Sequence, residues 1–61
     1  MKRRDLLRHL HQHGCQFVRE GAAHSIWENR VTSRRTSIPR HWEISDYPAG
    51  RLCKQLGIPL V

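Results

Sequence analysis

The chain has 61 residues, and eleven Lys and Arg against five Asp and Glu give it a formal net charge of +6 at neutral pH. So short a chain makes one small domain, expected over residues 1–61, and buries only roughly 60% of the surface its unfolded form exposes, so its core is thin. The charge favours polyanions such as nucleic acid, an acidic partner protein or an anionic membrane. No apolar run approaches the roughly 20 residues that span a bilayer, and no signal-peptide core follows Met1-Lys2-Arg3-Arg4, which points to a cytoplasmic protein with no membrane partner.

Leu6, Leu7 and Leu10 lie at helical spacing among Arg3, Arg4, Arg8 and His11, which predicts an amphipathic helix over residues 3–13, closed by Gly14 in the left-handed conformation. Three short strands are expected next, over 15–20 with Phe17 and Val18 as apolar anchors, over 24–29 with Ile26 and Trp27, and over 34–38, stopping at Pro39. Gly21-Ala22-Ala23 forms the first turn and residues 29–33 the second, both short enough for antiparallel hairpins. After a loop over 39–46, Ser45 or Asp46 can cap a helix that carries Pro48 in its first turn, presents Leu52, Cys53 and Leu56 on one face and ends at Gly57. Ile58 and Leu60 are placed to pack back onto the core. The expected fold is α+β in the order α-β-β-β-α, an antiparallel three-stranded sheet with both helices on one face.

His24 stands out in this arrangement. Small residues set its imidazole at the entry to a strand, within a chain rich in cations and poor in carboxylates. That pattern points to chemistry on a phosphodiester, and to RNA in particular. Cys15 and Cys53 lack metal-type spacing and read as reduced, partly buried small hydrophobes. His9 and His13 share a helix face that His11 does not, with no third ligand nearby, so no metal or other cofactor is expected.

The element order, the Gly-rich turn before His24, the Ile-Pro-Arg-His of residues 38–41 and the Cys-Lys-Gln-Leu-Gly-Ile-Pro of residues 53–59 resemble HicA toxins of the HicA/HicB toxin–antitoxin systems. The resemblance runs from the first helix to the last. It implies a double-stranded-RNA-binding-domain-like fold, an mRNA interferase activity that inhibits translation, and a HicB-like antitoxin as partner. His24 matches the family's functional histidine; Ala22-Ala23 replace the usual residues before it, and Ser25 stands where many members have a second histidine.

RNA supplies its own nucleophile, the 2′-hydroxyl, so an enzyme need only move protons and steady charge at phosphorus. An unperturbed imidazole titrates at about 6.5 and suits the task. His24 is therefore the candidate general base or acid, against the alternative of a strand-end histidine making a structural hydrogen bond. His41 is either a second proton carrier or phosphate ligand, or a loop residue that orders the segment after Pro39. Arg19 and Arg40 can steady developing negative charge or serve as general backbone-binding residues. Lys54 belongs to a diffuse electrostatic footprint with Lys2, Arg3, Arg4, Arg8, Arg34, Arg35 and Arg51. Gly21 supplies a positive-φ turn or a close backbone approach that positions His24. Trp27 is assigned to the core, and Trp42, in a loop, is the better candidate for stacking or partner contact. The antitoxin is expected to cover the His24 surface with acidic groups. A non-catalytic RNA-binding module of the same fold, or an interaction protein with an acidic partner, is the competing reading.

Overall fold

Leu6 and Leu10, one helical turn apart, are both fully buried, and they set the inward face of α1 (Arg3–Gln12) in the computed structural model, which describes residues 1–61. No side chain caps the start of α1. Its first turn is instead tied to a distant loop: the Met1 amine donates to the Ile44 carbonyl, Ile44 N–H to Met1 and Arg3 N–H to Trp42, each at 2.8 Å. Those bonds occupy backbone groups that a helix end otherwise leaves open. The helix ends at Gly14, whose φ of +83° is costly for any residue with a Cβ.

Strands β1 (Cys15–Glu20), β2 (His24–Asn29) and β3 (Arg35–Pro39) form an antiparallel sheet in that order. Helix α2 (Asp46–Leu56) follows, with Ala49, Leu52, Cys53 and Leu56 buried at spacings that keep them on one face. Nine residues make the core: Leu6 and Leu10 from α1, Cys15 and Ile38 from the sheet, Ile44 from the loop, and those four α2 side chains. The α-β-β-β-α order and the two helices on one sheet face agree with the sequence reading. No helix is long and apolar enough to cross a membrane.

Three details differ from expectation. The third strand runs to Pro39 itself, because β3 is an edge strand, where a residue without an N–H is tolerated. Phe17 is half exposed: Cys15 takes the core position on β1, and Phe17 lies at the rim with its ring edge-on to Trp27 at 6.3 Å. Ile58 packs on the core but Leu60 remains exposed. The second turn, at the place expected, contains neither Pro nor Gly and is shaped by Asn29. The Asn29 side chain accepts from Val31 N–H at 2.9 Å and donates to the Leu56 carbonyl at 2.7 Å, while Ser33 takes the left-handed conformation at φ +64°. One buried amide thus joins the turn to the end of α2.

Candidate functional site

Residues alternate across a strand, so the pairing assigns each to a sheet face. Ser25, Trp27 and Asn29 of β2 point toward the helices, leaving His24, Ile26 and Glu28 on the open face. Unbroken alternation along β1 would put Arg19 beside Cys15 and Phe17 on the helix side. The register shifts between Phe17 and Arg19, a bulge that spends Val18 as an extra residue. Arg19 therefore pairs with Ile26 on the open face, as the diagonal neighbour of His24, and Glu20 pairs with Ser25 on the helix side. Such diagonal neighbours lie roughly 7–8 Å apart in a regular ladder.

His24 is exposed and opens β2 opposite Pro39 of β3. Its carbonyl accepts from Gly21 N–H at 2.7 Å. Gly21 does not have a positive φ; its role is close approach, since a Cβ there would stand 3.2 Å from the His24 carbonyl oxygen. Ala22 and Ala23 also keep negative φ, so alanine fits both positions of the turn.

A connected set of polar groups fixes that turn from the helix side. Arg40 donates to the Ala22 carbonyl at 2.8 Å and to the Glu20 carboxylate at 2.8 Å, with a longer contact to the Gly21 carbonyl at 3.4 Å. The Ser25 hydroxyl, 1% exposed, donates to both Glu20 oxygens at 3.0 and 3.1 Å. It accepts in turn from Arg3 at 2.8 Å, and Arg3 also donates to the Pro39 carbonyl at 2.9 Å. Two guanidinium groups thus hold both strands that flank the imidazole. Hydrogen bonds to ionised groups are roughly twice as strong as neutral ones, and a fork of N–H donors fixes direction as well as distance.

The structure thus brings His24, Gly21, Arg19 and Arg40 into one neighbourhood, with Arg19 at the diagonal register position on the same sheet face as His24 and Arg40 bonded to the turn. His41 is exposed and lines a cleft between the start of α1 and the loop after β3, together with Arg4 and Trp42. Lys54 is not part of the group. It lies in the last turn of α2, the end bonded to Asn29 at the far end of β2 from His24, and five residue steps of strand are roughly 16 Å. His9 is bonded to the Pro59 carbonyl at 2.7 Å, with the His13 ring beside it at 4.5 Å.

Glu20, Ser25 and Arg3 are the participants that sequence reasoning does not single out. Arg3 is indistinguishable there from the other cations. The inward position of Ser25 follows from strand alternation, but that of Glu20 depends on the bulge, which has no sequence mark.

The family model for the HicA toxin of bacterial toxin–antitoxin systems matches residues 3–58. No curated protein and no solved structure gives a match. The match takes in every element described above, from the first residue of α1 to the residue after Gly57, and the chain belongs to the HicA toxins of bacterial toxin–antitoxin systems, with a cognate antitoxin as its partner.

Proposed function

We propose that the protein is a metal-independent endoribonuclease that cleaves mRNA and so inhibits translation in the cytoplasm, with His24 moving a proton in the cleavage step. The observation that carries this reading is an exposed imidazole on the open sheet face, with Arg19 diagonal to it and its backbone turn clamped by Arg40. Proton transfer requires a carrier whose position is fixed before the substrate arrives, and the Arg3–Ser25–Glu20–Arg40 set supports that condition.

In the proposed step, the 2′-oxygen forms a bond to the adjacent phosphorus and the bond from phosphorus to the 5′-oxygen breaks. The proton of the 2′-hydroxyl leaves as attack begins, and the departing 5′-oxygen gains one. His24 serves one of these transfers. The other falls to water or to a second group, for which His41 is the candidate within the same half of the molecule. The Arg19 guanidinium faces the charge that builds on the non-bridging oxygens. The products are a 2′,3′-cyclic phosphate, or its opened form, and a 5′-hydroxyl. Four of the five carboxylates sit within 4.0 Å of a cation of the protein, a pairing that favours a route resting on imidazole and guanidinium. The cognate antitoxin, a HicB-like protein in this reading, covers the His24 face and offers acidic groups to Arg19 and its neighbours.

Substituting His24 by Ala tests the assignment. The side chain is exposed and lies outside the core, so the variant stays folded, retains RNA affinity, and loses both cleavage and growth inhibition. Cleavage by the purified variant at the wild-type rate would remove His24 from the mechanism. Loss of wild-type cleavage on adding a chelator would contradict the metal-independent route.

A further inference from the structure

The cleft beside the His24 turn has its own composition. It encloses about 640 Å³ between the N-terminal turn of α1 and residues 40–43, and its lining includes Lys2, Arg4, Leu7, His41 and Trp42. Arg3 and Arg40 also line it, both already committed to the groups that hold the His24 turn, as do the carboxylates of Glu20, bonded to Arg40 and Ser25, and Glu43, 3.8 Å from the Met1 amine. Lys2 and Arg4 are exposed, and neither side chain pairs with a carboxylate of the protein.

Trp42 is 92% exposed, yet its backbone is not loose: its carbonyl accepts from Arg3 N–H at 2.8 Å, and the two residues after it, Glu43 and Ile44, are tied to Lys2 and Met1. The indole is thus a free aromatic surface on an anchored backbone, with unpaired cations beside it. An indole left in water contributes nothing to the fold. Leu7 is the only other apolar side chain in the cleft, and six of its nine lining residues are charged, whereas a protein docking site is depleted of charge at its centre. A flat π-face next to free cations instead matches a nucleotide, whose base stacks and whose phosphate is anionic.

We infer that this cleft binds unpaired nucleotides of single-stranded RNA, with Trp42 stacking on a base and Lys2 and Arg4 holding the flanking phosphates. The inference rests on the nuclease reading and deepens it by naming the form of substrate. Position supports the connection. Pro39 is paired with His24, and Trp42 follows three residues later, a span of at most about 11 Å of extended chain. A strand with its scissile phosphate at His24 on the open face therefore has only to turn round the end of the sheet, along residues 39–42, to reach Trp42 within a few nucleotides. Bases must be unstacked to meet the indole, so a duplex does not satisfy the cleft.

The test uses the wild-type protein and a short 2′-O-methyl oligouridylate, which has no nucleophilic hydroxyl and cannot be cleaved by the proposed route. Binding quenches tryptophan fluorescence, since Trp42 is the exposed one of the two. With affinity read from the anisotropy of a fluorophore on the oligonucleotide, because these variants lack the reporting indole, Trp42→Ala weakens binding about ten-fold, within the range known for a single base–aromatic stack, while Trp42→Phe retains most of the affinity. The double variant Lys2→Ala, Arg4→Ala lowers the slope of log affinity against log salt by about 1.4, the expectation for two lost contacts on a single strand. All these side chains are exposed, and circular dichroism checks that the variants fold. Unchanged affinity in Trp42→Ala overturns the inference, as does equal quenching by a duplex of the same length, or an effect of Trp42→Ala confined to antitoxin binding. Quenching by the oligonucleotide in a protein that cleaves no RNA would sink the nuclease reading and leave the cleft standing. Normal cleavage with unchanged affinity in Trp42→Ala would do the reverse.

Discussion

Arg40 donates to the Ala22 carbonyl at 2.8 Å, so the residue after β3 holds the turn that delivers His24. The same guanidinium reaches Glu20 at 2.8 Å, but with side chains 43% and 51% exposed this ion pair is screened by solvent and adds at most about 1 kcal/mol to stability. Its importance lies in geometry. Arg40→Ala is expected to lower kcat for RNA cleavage about ten-fold, with KM nearly constant and a melting temperature within a few degrees of wild type. Arg40→Lys does not restore the rate, because an ammonium cannot address Glu20 and the turn carbonyl with one planar fork. A rise in KM with kcat unchanged would instead make Arg40 a phosphate ligand.

Ser25 has the opposite balance of stability and function. It is 1% exposed and bridges Arg3 and Glu20 with a single hydroxyl. Ser25→Ala leaves a guanidinium N–H and a carboxylate each one partner short, and such losses cost about 1–3 kcal/mol. Urea denaturation is expected to show a loss in that range, with cleavage falling as well because the strands flanking His24 loosen. A variant with wild-type stability would show that water replaces the hydroxyl at no net cost.

The difference between these residues and His24 explains how far the sequence could be read. Periodicity of Leu6, Leu10, Leu52 and Leu56, with Gly14 and Gly57 as stops, is enough to locate both helices, because burial of one helix face leaves a 3.6-residue imprint. The strands are legible instead from their β-branched and aromatic residues and from the Gly and Pro that bound them, while the side chains of a paired strand alternate with a period of two. The bulge at Val18 interrupts that period, and nothing in Phe17-Val18-Arg19-Glu20 shows where alternation resets. Which of Arg19 and Glu20 faces His24 was therefore beyond sequence reasoning. The partners of Arg3 and Arg40 are 18 to 36 residues distant. Only tertiary structure separates Arg3 from the other cations of the footprint, and only it gives Arg40, already a site candidate in the sequence, its place at the turn.

Two glycines provide a contrast between site and scaffold. A Cβ on Gly21 would stand 3.2 Å from the His24 carbonyl oxygen, and the ladder must shift by a few tenths of an ångström to admit it. Gly21→Ala is expected to cost about 1 kcal/mol and to reduce cleavage by more than the folded fraction accounts for. Gly50 lies within α2, where a Cβ meets only Leu60 Cδ2 at an ordinary 3.7 Å. Gly50→Ala should stabilise the protein by about 0.5–1 kcal/mol through helix propensity, with cleavage unchanged. Thermal denaturation with a parallel rate measurement separates the two cases.

The thiols give the protein a pH limit on its alkaline side. Cys15 and Cys53 are both fully buried and free. Burial pushes each thiol above its ordinary value of 9.0, and for Cys15 the neighbouring Cys53 adds to the rise. Below 9.0 the thiols are protonated in both folded and unfolded chains, so they contribute no slope. Above it the unfolded chain loses protons that the folded core retains, and stability falls with rising pH until the folded thiols ionise as well. Unfolding free energy measured by urea should therefore decline above about pH 9, and the decline should be shallower in Cys15→Ala, whose lower starting stability reflects the space left by the sulfur. An identical slope in the variant would assign the alkaline loss to other groups. Thiol labelling gives an independent check: in the native protein at pH 8 both cysteines should react only as fast as the core opens, and urea should bring them to the rate of free cysteine.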